Sequence, residues 1–248
     1  MSGEPLALLQ PDWPAPANVR AAATTRRGGV SRGPYAGLNL GDHVGDDPAA
    51  VAENRRLLSA ALGLARAPAW LEQVHGCAVA AAETVHAPVR ADAAVTRTPG
   101  VACVVMTADC LPVLFCDRGG RVVAAAHAGW RGLAGGVLEA TLARMAVDPA
   151  EVLAWLGPAI GPAAFEVGPE VRAAFVADDP GAADAFVPAR ADRLLADLYA
   201  LARRRLMRAG VGQVSGGGRC TYSEADTFHS YRRAPVSGRQ ATLVWLSA

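Results

Sequence analysis

The stretch VACVVMTADCLPVLFCDRGGRVVAAAHAGWRG, residues 101–132 of the 248-residue chain, decides the fold. It contains three short, continuous apolar runs, at residues 101–106, 111–116 and 122–126. Short runs without polar alternation are typical of strands that are buried on both faces. The Asp-Arg-Gly-Gly segment at residues 117–120 predicts a hairpin turn between the second and third runs. We therefore expect these strands to form the centre of a covered β-sheet.

Three side chains that favour soft metal ions stand at the predicted ends of strands. His75 ends a strand-compatible segment at residues 69–75, Cys110 follows the first apolar run, and His127 follows the third. Two imidazoles and one thiolate suit zinc and leave a fourth tetrahedral position open. The sequence offers no convincing fourth ligand that would close the site. We predict that the three side chains converge on one ion, with Zn²⁺ favoured and copper possible.

Composition excludes several classes of function. All 24 basic residues are arginine, so a Schiff-base lysine and a P-loop lysine are excluded. The net charge is +1 and no basic stripe is interleaved with aromatic residues, which argues against nucleic-acid binding. No apolar run approaches the ~20 residues of a membrane span, and no signal peptide is apparent. Five cysteines, an odd number, favour free thiols in a cytoplasmic protein over a disulfide framework.

The remainder of the chain predicts alternating strands and helices in one α/β domain of mixed α+β type. Strands are expected at residues 19–25, 78–84, 92–96, 152–156, 211–214 and 241–246. Helices are expected after Asp47, after residue 132, at residues 169–176 and at residues 192–209, with a loop at residues 178–188. No repeat or linker interrupts residues 1–248, of which 1–18 form an irregular lead-in. The pattern predicts a mixed sheet with helices on its faces.

Two glycine-rich segments are candidate anion sites. The turn at residues 26–31 carries Arg26 and is either a surface loop or a backbone-and-arginine anion site. The segment after His127 begins a helix whose free amides, together with Arg131, favour a bound anion. The alternative is that its glycines only permit close packing. His43 lies among acidic residues and is either solvated or within reach of the site.

Several motifs together resemble the multicopper polyphenol oxidase, or laccase-domain, family, whose members have been reassigned as purine nucleoside phosphorylases and peptidoglycan-editing factors. The matching segments extend over nearly the whole chain from Thr24 onward. They are Leu38-Asn39-Leu40-Gly41, Val44-Gly45-Asp46-Asp47, Asn54-Arg55, Gln73-Val74-His75-Gly76, Ala91-Asp92-Ala93, Thr107-Ala108-Asp109-Cys110-Leu111-Pro112, His127-Ala128-Gly129-Trp130-Arg131-Gly132, Gly157-Pro158-Ala159-Ile160 and Ser230-Tyr231-Arg232-Arg233. One departure follows the last motif, where an acidic residue and a glycine are expected and the chain has Ala-Pro-Val-Ser-Gly-Arg.

The resemblance implies a single domain of layered mixed β-sheets flanked by helices, with His75, Cys110 and His127 as metal ligands. It also implies phosphorolysis of adenosine, inosine and methylthioadenosine, together with hydrolytic deamination of adenosine. Asp109 joins the three ligands as a candidate catalytic residue, and Glu72 is a second candidate for proton transfer. The candidates for binding nucleoside or phosphate are Arg26, Asn39, His43, Gln73, Arg131 and Arg232, and Phe228, His229 or Tyr231 are candidates for stacking on a base.

Other functions remain open at this stage. The same site suits hydrolysis of an amide in a UDP-muramyl-peptide precursor, which would remove a wrong amino acid from the cell wall. Copper-dependent phenol oxidation is disfavoured, because laccase chemistry needs many histidine ligands and the chain has five histidines in total. A structural zinc site in a binding module is the non-enzymatic alternative. The predicted partners are small molecules, and a monomer and a homodimer are equally compatible with the sequence.

Overall fold

The computed structural model describes residues 5–247; residues 1–4 and 248 lie outside this description. The described strands, in chain order, are β1 (Leu8–Leu9), β2 (Val19–Thr24), β3 (Leu71–Glu72), β4 (Val79–Ala81), β5 (Val89–Arg90), β6 (Ala93–Thr96), β7 (Ala102–Thr107), β8 (Leu111–Asp117), β9 (Val123–Ala128), β10 (Val152–Leu156), β11 (Glu166–Val167), β12 (Phe186–Pro188), β13 (Leu194–Ala196), β14 (Gln213–Gly216) and β15 (Gln240–Leu246). The α-helices are α1 (Pro48–Ala61), α2 (Trp130–Gly135), α3 (Val137–Met145), α4 (Pro169–Val176) and α5 (Leu198–Arg208). Short 3₁₀ helices lie at Gly33–Tyr35, Ala82–Thr84, Pro149–Glu151 and Pro180–Ala185.

Two sheets carry the fold. The first is an antiparallel sheet of four strands in the order β1-β2-β15-β7. The second has six strands in the order β14-β10-β8-β9-β6-β4, with parallel pairs at its two edges and antiparallel pairs between them. Smaller sheets are formed by β11-β13-β12 and by β3-β5. Because β7 and β8 follow each other in the chain, the turn between them joins the two large sheets.

The faces of these sheets divide the core into layers. Alternate residues of β7 point to opposite sides, as the pleat of a strand requires. Cys103 and Val105 pack in a cluster with Leu114 and Val123 of the six-stranded sheet, so the two sheets bury these faces against each other. Val104, on the other side of β7, lies in the cluster that α1 covers.

Helices cover the outer face of the six-stranded sheet. Side chains of β8 and β9 pack there against α2, α3 and α5, and Phe115 is among the largest fully buried residues. The predicted helix after residue 132 is divided in two by Gly136, which adopts a left-handed φ of 97°. Four residues spaced four apart along this segment are nevertheless all buried: Leu133, Val137, Thr141 and Met145.

The mixed α/β architecture is therefore confirmed, and the three central apolar runs are strands that are buried on both faces. The lead-in is less irregular than predicted, since β1 pairs with β2. The strand predicted at residues 78–84 is confined to β4, and a 3₁₀ helix follows it. The segment expected to be a strand at residues 69–75 contains only the two residues of β3.

The prediction of one helix over residues 192–209 is wrong at its start. Residues 194–196 form β13, which pairs with β11 and with β12. The helix begins only at Leu198, where the Asp197 side chain accepts a hydrogen bond from the amide of Ala200 and caps the first turn. The loop predicted at residues 178–188 likewise contains a 3₁₀ helix and β12. Within residues 5–247 no helix is both long and apolar enough to cross a bilayer.

Candidate metal and nucleoside site

The three predicted ligands lie together at the junction of the two large sheets. Their ligand atoms are all within 4.8 Å of one another. The rings of His75 and His127 meet edge to face, with 4.7 Å between their centroids. Cys110 occupies the turn between β7 and β8, and His127 lies inside β9 rather than after its end. His127 is buried and His75 is exposed, so the group opens to solvent on the His75 side.

Asp92 holds two of these three ligands in place. Its side chain is fully buried, and its Oδ1 atom accepts hydrogen bonds from Nδ1 of His127 at 2.8 Å and from the amide of His75 at 2.9 Å. Its Oδ2 atom accepts from the amides of Val74 and Gly76. A carboxylate that fixes a ligand histidine through its second nitrogen is a recurrent feature of metal sites. This role of Asp92 is not among those predicted from the sequence.

The ionisable groups of the site shift one another's pKa values. Burial by itself would raise the pKa of the Asp92 carboxyl, but hydrogen bonds from His127 and Gly76 hold it below its ordinary value. Burial would likewise lower the pKa of His127, yet the neighbouring Cys110 and Asp92 raise it to about 9. For His75, burial and then the charge of His127 lower the pKa. The pKa values of the two imidazoles are therefore shifted in opposite directions from the ordinary value for histidine.

The turn that carries Cys110 is strained and held from several sides. Asp109, in this turn, has a φ of 94°, and a positive φ is costly for residues other than glycine. His75, in its own loop, also has a positive φ, of 60°. The backbone oxygen of Asp109 accepts a hydrogen bond from the amide of Ile160. Its carboxylate accepts from the Thr221 hydroxyl at 2.6 Å and from the Arg232 amide at 2.7 Å. Both carboxylate oxygens are engaged, which favours a positioning role for Asp109 over the predicted proton transfer.

The ligand group forms part of the wall of a cavity of about 500 Å³. Three arginines and three aromatic side chains complete this cavity, which therefore combines a candidate metal site with cations and flat apolar surfaces. The lining residues are His43, Gln73, His75, Met106, Thr107, Ala108, Asp109, Cys110, His127, Trp130, Arg131, Ile160, Phe165, Tyr231, Arg232 and Arg239.

Four of the six predicted binding residues line this cavity. The side-chain amide of Gln73 makes its hydrogen bonds with the backbone of Met106. It donates to the carbonyl of Met106 and accepts from the amide of Met106, both at 2.7 Å. It thereby ties the loop that carries His75 to β7. Arg131 lies over the Trp130 ring at 4.4 Å, and His43 and Arg232 also face the cavity.

The other two predicted binding residues lie elsewhere. Arg26 lines a separate surface cavity with the glycine-rich turn, and its guanidinium donates to the carbonyl of Ala225. Asn39 is fully buried and makes its hydrogen bonds within the protein. Glu72, the second candidate for proton transfer, is exposed and faces Arg90 at 3.7 Å. None of these three residues lines the cavity that contains the metal ligands.

The aromatic candidates divide in the same way. Tyr231 is exposed and lines the cavity, where a flat ligand can stack on it. Phe228 and His229 are buried outside the cavity lining. Trp130, Phe165 and Arg239 also line the cavity, and none of them was predicted from the sequence to do so. Helix α2 is only six residues long, so Arg131 is the stronger part of the predicted anion site.

His229 makes the stability of the fold sensitive to acid. Burial, and then the charge of Arg26, lower its pKa to about 3. Below pH ~6.5 the unfolded chain takes up a proton at His229 that the folded chain refuses, so stability falls by up to about 1.4 kcal/mol per pH unit. We expect His229→Asn to reduce the dependence of the unfolding free energy on pH by about one proton between pH 6 and pH 4. Urea denaturation across this range measures it; an unchanged slope would contradict the assignment.

The residues present fit a single metal ion. Two nitrogens and one sulfur form a suitable donor set, and Nδ1 of His127 is engaged by Asp92, which leaves its Nε2 for an ion. A Cβ atom on Gly129 would lie 2.7 Å from Nδ1 of His75 and 3.0 Å from Sγ of Cys110, so only glycine keeps the space beside these ligands open. Among residues 5–247 this is the one cluster of at least three such ligands. The described residues therefore contain no second cluster of ligands for the several copper ions that a laccase binds.

Known proteins resemble this chain closely. Purine nucleoside phosphorylase PA4543 of Pseudomonas aeruginosa is 60% identical over 241 residues, which cover 97% of this chain and 98% of that protein. Purine nucleoside phosphorylase YfiH of Escherichia coli is 57% identical over 240 residues, covering 96% and 98%. The crystal structure of Neisseria meningitidis protein NMB0706 matches with a TM-score of 0.95 at 57% identity, covering 97% and 99% of the two chains.

More distant relatives keep the same fold. The crystal structure of YlmD from Geobacillus stearothermophilus matches with a TM-score of 0.90 at 30% identity, covering 99% of this chain and all of that one. The family model described as multi-copper polyphenol oxidoreductase laccase matches residues 20–247. The resemblance seen in the sequence motifs is thereby confirmed, and the chain belongs to the multi-copper polyphenol oxidoreductase laccase family.

Proposed function

We propose that this protein is a metal-dependent purine nucleoside phosphorylase. Its substrates would be adenosine, inosine or methylthioadenosine with inorganic phosphate, and its products the free base and the corresponding pentose 1-phosphate. The observation that carries the proposal is the single cavity in which His75, Cys110 and His127 face arginines and aromatic rings. The names of the relatives at 57–60% identity support the same activity.

The dimensions and polarity of the cavity suit a nucleoside. A volume of about 500 Å³ lies within the range of small-molecule sites. Trp130, Phe165 and Tyr231 offer flat surfaces for a purine ring. Arginine guanidinium groups match the geometry of phosphate oxygens, and Arg131 and Arg232 form no ion pair with any carboxylate of residues 5–247. The cavity therefore contains partners for both halves of the reaction.

Phosphorolysis is chiefly a matter of placement. A phosphate oxygen forms a bond to C1′ of the ribose while the bond from C1′ to N9 of the purine breaks, and the departing base takes up one proton. Holding the two reactants in line removes much of the entropic barrier. A metal ion held by His75, Cys110 and His127 would supply Lewis acidity at this point. Zinc suits this donor set best, and copper is the alternative.

Deamination of adenosine is the second reaction that we propose to test. Zinc nucleobase deaminases use a carboxylate for proton transfer. Asp109 is the carboxylate among the residues that line the cavity, and both its oxygens already accept hydrogen bonds. This arrangement favours phosphorolysis over deamination as the principal reaction.

The proposal is tested by incubating the purified protein with adenosine, inosine and methylthioadenosine, each with and without inorganic phosphate. Chromatography of the products separates base, pentose 1-phosphate and deaminated nucleoside. We expect release of the base only when phosphate is present. Release of inosine from adenosine would reveal deamination in the same assay. Inactivity on all three nucleosides, with turnover of a muramyl-peptide nucleotide, would replace the proposal by the cell-wall hydrolase.

A further inference from the structure

Arg239 differs from the other two cavity arginines in how firmly it is held. Arg131 and Arg232 are exposed, whereas Arg239 is partly buried. It directly precedes β15, whose first residue, Gln240, pairs with Thr107 at the end of β7. That register places Arg239 beside the turn that carries Cys110, and its side chain lines the same cavity.

Residues of the motif at 38–41 contact Arg239 and fix its position. Oδ1 of Asn39 accepts hydrogen bonds from the amide of Gly41 at 2.9 Å and from the amide of Arg239 at 2.8 Å. The amide of Leu40 donates to the carbonyl of Arg239. A Cβ atom on Gly41 would lie 2.7 Å from Cγ of Arg239, so the aliphatic stem rests directly on the glycine backbone. Asn39, predicted to bind substrate, instead fixes the position of a cavity cation.

The guanidinium is anchored on one side only. Nη1 of Arg239 donates to the carbonyls of Ser237 and Gly238, at 3.0 and 2.9 Å. In the described part of the chain its side-chain hydrogen bonds all start from Nη1, and it forms no ion pair with a carboxylate there. The charge of Arg239 acts on another residue of the cavity wall, His43. Burial, and then the charge of Arg239, lower the pKa of His43. A rigid guanidinium with a free edge is suited to an oxyanion that it can bind with two parallel hydrogen bonds.

The wall of the same cavity contains a buried hydroxyl without a partner. The hydroxyl of Thr107 is buried and has no hydrogen-bond partner among residues 5–247, and Thr107 lines the cavity. Buried polar groups are nearly always paired in folded proteins. Thr107 pairs with Gln240, the residue after Arg239, so Thr107 and Arg239 lie at the same end of the two strands, and both line the cavity. An anion with several acceptor oxygens would provide a partner for both groups.

We propose that Arg239, seated on Asn39 and Gly41 and assisted by Thr107, binds the inorganic phosphate of the reaction. This inference rests on the proposed function and deepens it, because it divides the cavity into a phosphate end at Arg239 and a base end at the aromatic residues. Arg131 and Arg232, which are exposed, then belong to the nucleoside side. The two ends adjoin at Tyr231, because the Arg239 guanidinium lies 6.0 Å from the centre of the Tyr231 ring.

Steady-state kinetics on inosine test this assignment. Charged hydrogen bonds contribute about 1.5–3 kcal/mol, so Arg239→Met should raise the KM for phosphate by about 10- to 100-fold while the KM for inosine stays within about twofold. Gly41→Ala removes no side chain but pushes against Cγ of Arg239, and it should raise the same KM. Arg90→Met, an exposed arginine outside the cavity, is the matched control and should leave both constants unchanged.

Binding of inorganic phosphate alone, measured by titration calorimetry on the folded proteins, provides an independent readout. We expect weaker binding to both the Arg239→Met and the Gly41→Ala variants. An unchanged KM for phosphate in both variants, or an increase confined to the KM for inosine, would overturn the assignment while the phosphorylase activity stands. A wild-type protein without phosphate-dependent base release would instead overturn the proposed function itself.

Discussion

Replacing His75 with alanine should remove the bound metal ion and lower phosphorolysis about 1,000-fold or more, because a metal ion contributes several kcal/mol to the transition state. His75 is exposed, so its loss should leave the fold intact. Cys110→Ala should act in the same way. His127→Ala should be equally inactive and also less stable, since it leaves the buried Asp92 carboxylate without its ring partner.

The measurement combines metal content per chain, circular dichroism and the rate of base release. His86→Ala and Cys220→Ala are matched controls, because His86 is exposed outside the cavity and Cys220 lines a different one. Both should keep the metal and the activity. A folded, metal-free His75→Ala protein with full activity would show that the three ligands are not part of the catalytic site.

The second large effect is expected at Asp92. In Asp92→Asn, the amide NH₂ replaces one carboxylate oxygen and faces backbone amides at Val74 and Gly76 that have no other acceptor in this arrangement. Each unsatisfied buried donor costs about 1–3 kcal/mol, so we expect a loss of roughly 3 kcal/mol in unfolding free energy. The affinity for zinc should fall about 10- to 100-fold, because a neutral amide oxygen holds the His127 ring and the backbone of His75 less firmly than the carboxylate does.

The variant Asp117→Asn distinguishes the expected loss of stability in Asp92→Asn from the expected loss of zinc affinity. Asp117 is also fully buried and accepts hydrogen bonds from the amides of Arg121 and Val122, but it is the last residue of β8, before the turn to β9, and lies outside the cavity. It should lose stability and keep its zinc affinity, measured by competition with a chromogenic chelator. Equal zinc affinities of the Asp92→Asn and wild-type proteins would contradict the positioning role.

Some parts of this structure follow directly from local sequence. The apolar runs predict β7, β8 and β9, because five or six consecutive apolar residues between turns are typical of a strand buried on both faces. The three ligands could be chosen from their chemistry alone, since each stands near a strand end with no better explanation. The strained turn that holds Cys110, in which Asp109 has a φ of 94°, follows from no such pattern.

Other parts depend on contacts between distant segments. The prediction of a helix at residues 192–209 failed because the helical periodicity of residues 194–196 is overridden by pairing with β11 and β12. The roles of Asp92 and Arg239 were missed for a related reason. Asp92 acts on amides 16–18 residues earlier, and Arg239 reaches the turn of Cys110 only because β15 pairs with β7. Nothing in the sequence near either residue indicates these partners.

We propose that this cavity transfers the pentose of a purine nucleoside to phosphate. Inosine turnover with phosphate labelled by ¹⁸O at all four oxygens tests it directly, because phosphorolysis forms the new C1′ bond to a phosphate oxygen. We predict ribose 1-phosphate that retains all four labelled oxygens, one of them bridging to C1′, when the product is analysed by mass spectrometry. Free ribose that takes its new oxygen from water, formed at the same rate without phosphate, would contradict the account.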